Sequence, residues 1–129
     1  MKRLLNLCIL SLALSQNWAV ADEFNNDYRP EFSNTISAGD LKKSKGVLIV
    51  DVRLKEDLVS DPELIPGAMY GDPETLDQWS RNISKDRPIV VYWVAGKWVS
   101  QKAATLLSEK GFEVRSLDGG LNAWREQDN

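Results

Sequence analysis

Residues 88–111 read PIVVYWVAGKWVSQKAATLLSEKG, and this stretch carries the pattern on which the fold turns. Ile89 to Trp93 is a continuous apolar run rich in β-branched side chains, bounded by Pro88 and Gly96. A run too short for a helix and closed by turn residues reads as a buried strand. From Ser100 to Lys110 the period changes. Ala103, Ala104, Leu106 and Leu107 form one apolar helical face. Ser100 reads as the N-cap of this helix, with Lys110 in its last turn and Gly111 as a left-handed stop. Between strand and helix lies a loop, Val94 to Val99. The flanking sequence repeats the alternation. Val47 to Val50 and Phe112 to Leu117 read as strands, the first bounded by Gly46 and Asp51, the second by Gly111 and Gly119-Gly120. Helical patterns run from Ser37 to Lys43, with Ser37 as cap, and from Pro73 to Ile83, with Asp72 as cap. A third runs from Leu121 to Arg125. Trp79 and Trp124 fall on apolar helical faces and are expected in the core. Strands alternating with helices predict an α/β domain of three layers, a mainly parallel sheet with helices on both faces. Ligands of such sheets bind beyond the carboxyl ends of the strands. That points to Asp51-Val52-Arg53 and to the loop that begins at residue 93.

The 129 residues suffice for one domain. The first of them have another logic. Lys2 and Arg3 precede an apolar run from Leu4 to Leu14, and Ala19-Val20-Ala21 supplies small residues where a signal peptidase reads. This is the layout of a secretory leader cleaved after Ala21. The expected organisation is a leader at 1–21, a polar tail at 22–33 and one domain at 34–129. The apolar run is shorter than the roughly 20 residues a spanning helix needs, so no stable membrane span is expected after cleavage. The expected location is the periplasm or the exterior. An uncleaved N-terminal anchor is the alternative.

Cleavage removes two basic residues and no acid, taking the net charge from −3 to −5. A negative chain without a basic cluster gives no footprint for nucleic acid. The one cysteine is Cys8, within the leader, and the chain has no histidine. The mature chain therefore lacks both thiol and imidazole. No metal site and no cofactor is expected.

Several segments, in order, resemble the rhodanese family. Leu48-Ile49-Val50-Asp51-Val52-Arg53 is similar to that family's strand ending in Asp-x-Arg, and Glu56 sits where the family often has an acid. Ile65-Pro66-Gly67-Ala68 resembles its His-Ile-Pro-Gly-Ala turn, with Leu64 in place of the histidine. Pro88 to Tyr92 resembles the strand before the catalytic loop, and Val99 to Ala104 the helix after it. Gly111-Phe112, Leu117-Asp118-Gly119-Gly120 and Ala123-Trp124 resemble the closing segment. The likeness spans about residues 36–126 and implies a sulfurtransferase fold. In that family a cysteine follows this strand, and its thiolate carries sulfur inside a cradle of backbone amides.

In this sequence the resemblance places Trp93 at the cysteine's position. The loop reads Trp93-Val94-Ala95-Gly96-Lys97-Trp98-Val99-Ser100, without the arginine many family loops carry near their end. Its Val-Ser ending has a counterpart in the family. An indole N–H donates a hydrogen bond but cannot act as a nucleophile. Sulfur transfer, and the phosphatase and arsenate reductase chemistry of the same fold, would lose their nucleophile. The resemblance implies a bracing role for Asp51 and Arg53. Two uses remain for residues 93–100. One is an anion site built from backbone amides with Lys97 nearby; the other is an aromatic surface of Trp93 and the more exposed Trp98. Ser100 has no general base near it in sequence. The expected function is a non-catalytic binding or regulatory module whose partner is a protein or a small anion. The alternatives are a divergent enzyme that uses the loop without a thiol, and a docking partner in a sulfur relay.

Intact mass of the protein from its native host checks the export expectation. The expected N-terminus is Asp22, and a mass that retains residues 1–21 would return the anchored form.

Overall fold

The computed structural model describes residues 32–95 and 98–127. The expected leader, most of the polar tail, and Gly96 and Lys97 of the loop lie outside the described residues. The elements are β1 (Thr35–Ile36), α1 (Ala38–Lys43), β2 (Leu48–Asp51), α2 (Lys55–Ser60) and β3 (Met69–Tyr70). A 3-10 turn (Pro73–Thr75) then leads into α3 (Leu76–Ser80), followed by β4 (Ile89–Tyr92), α4 (Trp98–Glu109), β5 (Val114–Leu117) and α5 (Gly120–Glu126). The strands form one sheet in the order β1-β5-β4-β2-β3, and every neighbouring pair is parallel.

The central strand shows why the sequence takes this form. All four residues of β4 are buried. Side chains alternate between faces along a strand, so Ile89 and Val91 enter one core and Val90 and Tyr92 the other. The first core is closed by Leu76 of α3 and by Val99, Ala103, Ala104 and Leu107 of α4. The second is closed by Ala38 and Leu41 of α1 and by Leu121 of α5. A sheet covered twice has no polar face, which is why its strands read as continuous apolar runs.

Local signals act as the sequence predicts at several points. Ser37 Oγ accepts the Asp40 N–H at 3.1 Å and starts α1. Asp72 Oδ1 accepts the Glu74 N–H at 2.9 Å at the head of the 3-10 turn. Gly111 takes φ +96 just past α4. Ile65-Pro66-Gly67-Ala68 closes as a turn, with the Ala68 N–H on the Ile65 carbonyl at 2.9 Å and Gly67 at φ +82. That is the proline-then-glycine placement of a type II turn.

Other features depart from expectation. The helix expected from Pro73 to Ile83 begins as a 3-10 turn and stops at Ser80, with residues 82 and 83 in tight turns back to Trp79 and Ser80. Trp79 and Trp124 are half-buried rather than enclosed. Trp79 packs on the first core and donates Nε1–H to the Asp72 carbonyl at 2.7 Å. Trp124 packs on the second core, with Lys42 Nζ 4.9 Å from its ring centroid. An indole whose N–H needs a partner settles at the edge of a core. The short edge strands β1 and β3, and α2, were not anticipated. None of the residues of α2 is buried and no side chain caps it, so it leaves no apolar period to read.

Among the described glycines without a positive φ, Gly71 is the most crowded. A Cβ there would lie 2.7 Å from Trp79 Cζ2 and 2.8 Å from Val50 Cγ1. Trp79 is tethered and Val50 is in the core, so neither yields cheaply. Gly71→Ala is expected to cost about 1–3 kcal/mol by overpacking. Gly39→Ala, in α1 with nothing nearer than 3.8 Å, is expected to be neutral or to stabilise by about 0.5–1 kcal/mol. Urea denaturation of both variants checks the contrast; equal midpoints would overturn it.

Candidate functional site

Parallel pairing fixes which residues meet at the carboxyl end of the sheet. The register sets Asp51, the last residue of β2, beside Tyr92, the last of β4. Trp93 follows Tyr92 directly. Two amides at the start of α5 hold the segment that leaves β4: Leu121 N–H donates to the Trp93 carbonyl at 2.9 Å and Asn122 N–H to the Val94 carbonyl at 3.0 Å. Gly119 and Gly120 aim these amides. Both have positive φ, at 73 and 58, and a Cβ on Gly119 would lie 2.6 Å from Ala123 Cβ. On its other side the Trp93 indole Nε1 donates to Asp57 Oδ2 of α2 at 3.3 Å. Trp93 also packs against the first core.

Asp51 and Arg53 form a buried pair, 0 % and 1 % exposed. Arg53 Nε lies 2.9 Å and Nη2 2.8 Å from Asp51 Oδ2. The guanidinium also reaches two backbone carbonyls, Nη1 to Asp61 at 2.7 Å and Nη2 to Glu63 at 3.1 Å. Tyr70 donates its hydroxyl to the Arg53 carbonyl at 2.8 Å, and Tyr92 Oη accepts the Ile65 N–H at 3.1 Å. Asp61 turns its carboxylate outward to Arg125 of α5, with Oδ1 3.0 Å from Nη2. One charged network thus ties the ends of β2 and β4 to the 61–65 segment and to α5.

The electrostatics follow from this geometry. Burial works against the Arg53 charge, but the hydrogen bond and charge of Asp51 outweigh it and raise the Arg53 pKa further. Desolvation pushes Tyr92 well above its ordinary value, with Asp51 adding to the effect. Desolvation likewise takes Tyr70 to about 12, helped by Asp72 and Asp51. Both phenols are neutral hydrogen-bonding groups at physiological pH. The Arg125 hydrogen bond holds the Asp61 carboxyl below the usual range.

The structure places the expected loop residues unevenly. Trp93, Val94 and Ala95 are half-buried at the pole, and Trp98 opens α4. Val99 and Ser100 are fully buried. Ser100 is therefore not the N-cap of this helix but its third residue. Ser116 of β5 donates its hydroxyl to Ser100 Oγ at 3.2 Å. A serine satisfied from the neighbouring strand need not cap, and apolar Val99 draws the helix two residues further back into the core. Sequence reading did not find Asp57, Asp61, Tyr70 or Arg125. Their contacts join residues 17 to 64 positions apart, across elements without local signals. Among the described residues no group of His, Cys, Asp or Glu is arranged to hold a metal ion, and no helix is long and apolar enough to cross a membrane.

A doubly covered parallel sheet with a loop held over its carboxyl end defines the class: a small α/β domain with its candidate site at the strand ends. Residues 34–127 match the Rhodanese-like domain model, and the chain belongs to that family. Over 91 residues it is 34 % identical to "Thiosulfate sulfurtransferase GlpE" of Coxiella burnetii, covering 70 % of this chain and 82 % of that protein. The protein of the same name from Shewanella oneidensis is 39 % identical over 87 residues, covering 67 % of this chain and 83 % of that one. Among solved structures, the rhodanese-like domain protein of Staphylococcus aureus aligns with TM-score 0.63 at 27 % identity, over 71 % of this chain and 91 % of that one. The rhodanese-like domain of an Anabaena protein aligns with TM-score 0.63 at 29 % identity, over 74 % and 76 %.

The buried pair gives a direct test. Asp51→Asn leaves the Arg53 guanidinium buried without its counter-charge and is expected to destabilise the domain by about 3–5 kcal/mol. Chemical denaturation measures this; a loss below about 1 kcal/mol would mean that the carbonyls alone hold the arginine.

Proposed function

We propose that this protein is a binding or regulatory rhodanese-like module that does not pass sulfur through a thiol, and that it works outside the cytoplasm after losing residues 1–21. The observation that carries the reading is the residue directly after β4. Where the family resemblance puts the nucleophile, the chain has Trp93, whose indole N–H is engaged by Asp57 at 3.3 Å. An indole offers one donor and no nucleophile. No histidine exists to activate a hydroxyl, and the only cysteine is Cys8, in the segment expected to leave with the leader. Ser100, the nearest hydroxyl in the loop-to-helix stretch, is buried and hydrogen-bonded to Ser116. The sulfurtransferase names of the relatives support shared ancestry and a shared frame. The partner on this reading is a protein or a small anion that meets the pole around Trp93 and the first turn of α4.

Thiosulfate-to-cyanide sulfur transfer by the purified 22–129 chain tests the reading. The expected rate is that of the protein-free reaction, with no persulfide in the intact mass after thiosulfate treatment. Turnover that co-elutes with the protein through further purification would sink the proposal.

A further inference from the structure

A concavity lies at the amino ends of the strands, away from the loop after β4. It is a cleft of about 360 Å³ lined by Ser80, Arg81, Ile83, Lys85, Lys110 and Phe112. Residues 80–85 precede β4, and residues 110–112 precede β5. Because β4 and β5 are parallel, these segments meet at the pole opposite Trp93. The four residues of β4 separate the two poles by roughly 13 Å of strand.

The lining contains three cations and no acid, in a chain whose net charge is −3. Lys110 Nζ is already paired with Asp77, at 2.6 Å. Arg81 and Lys85 form no ion pair among the described residues, although Lys85 Nζ lies 5.4 Å from the centroid of the Phe112 ring. The carboxyl ends of α3 and α4 also face this pole, and basic residues there complement helix dipoles of about half a charge each. Arg81 also acts on the Asp77 carboxylate through its charge, so three cations stand against one neighbouring acid and two helix ends, which leaves an excess of positive charge. Cations gathered in a concave, partly apolar site focus a positive potential.

Ser80 supplies an independent observation. It is 3 % exposed, and its hydroxyl makes no hydrogen bond to any described residue. No sealed side-chain oxygen or nitrogen among the described residues lacks a partner, so the Ser80 oxygen keeps solvent access. Ser80 is one of the residues that line the cleft.

We infer that this cleft binds a small multivalent oxyanion of the phosphate ester or pyrophosphate class, held by Arg81 and Lys85 with the Ser80 hydroxyl as a neutral donor. A guanidinium suits an oxyanion because its fork donates in parallel. The volume lies at the small end for ligand sites and fits a compact anion. The apolar wall of Ile83 and Phe112 accommodates a short carbon body. The site is independent of the chemistry at Trp93.

Calorimetric titration of the purified protein with pyrophosphate at low ionic strength tests the inference. Saturable binding at up to about 1 mM is expected, weakened about tenfold by Arg81→Gln/Lys85→Gln, since each removes a charge-assisted contact. Ser80→Ala is expected to weaken it about threefold. Lys43→Gln/Lys55→Gln removes the same charge elsewhere and should leave affinity unchanged. All the replaced cations are exposed, so the variants should fold, and circular dichroism verifies this. A loss of more than about threefold confined to the first pair supports the site. Absence of saturable binding, a smaller loss, or an equal loss in both pairs overturns it.

Discussion

Burying an arginine inside a small domain commits everything around it. Arg53 is 1 % exposed, and the cost of removing a charge from water is several kcal/mol. Asp51 neutralises the charge but cannot take every guanidinium donor. Backbone supplies further acceptors, the carbonyls of Asp61 and Glu63. The irregular segment between α2 and the Pro66-Gly67 turn is therefore fixed over the sheet end although it has no regular structure. Asp61 then has its carbonyl turned inward and its carboxylate outward, where Arg125 meets it. Charges of alternating sign run from the core to the surface: Asp51, Arg53, Asp61, Arg125. Remove the first and the pole of the domain loses its frame.

The same pole shows how parallel topology makes a site without dedicated residues. Each strand of a parallel sheet ends on the same side, so the chain leaves all five strands there. β4 is central, and the segment leaving it lies between α2 on one side and α5 on the other. The glycine pair at 119 and 120 turns α5 so that its first amides bind the carbonyls of Trp93 and Val94. Asp57 takes the indole. The segment that leaves β4 is held by two backbone bonds and one side-chain bond, and only the last depends on the side chain at position 93.

Much of this architecture is legible in the sequence. The apolar runs at 47–50 and 89–93 mark two of the three inner strands, β2 and β4, because a doubly covered sheet demands apolar side chains on both faces. Ser37, Asp72, Gly111 and the Pro66-Gly67 turn each have a local mechanism and sit where that mechanism places them. What could not be read falls into two kinds. Helix α2 buries no residue and has no cap, so neither period nor boundary signal exists. The contacts Arg125–Asp61 and Trp93–Asp57 depend on the tertiary approach of elements far apart in sequence. Ser100 is a third case. Its type favours a cap, but a strand neighbour, Ser116, offered its hydroxyl a partner, and the helix could extend past it.

These observations separate frame from chemistry. The Asp51-Val52-Arg53 segment, the type II turn at 65–68 and the glycine pair are among the segments that resemble the rhodanese family, and in this chain each has a structural account. Arg53 is a buried ion whose three nitrogens are all hydrogen-bonded, Gly67 answers a backbone angle, and Gly119 answers a close contact. None of them needs a sulfur-bearing nucleophile to be retained. On the proposed reading, chemistry in this fold would turn on the first residue after β4, whose carbonyl, not its side chain, is what α5 holds. A chain can therefore keep the whole frame while the side chain at that position changes from a reactive group to a packed one. On the proposed reading, Trp93 is that change: its ring adds contact with the first core, its N–H finds Asp57, and selection on the frame continues through stability rather than through turnover.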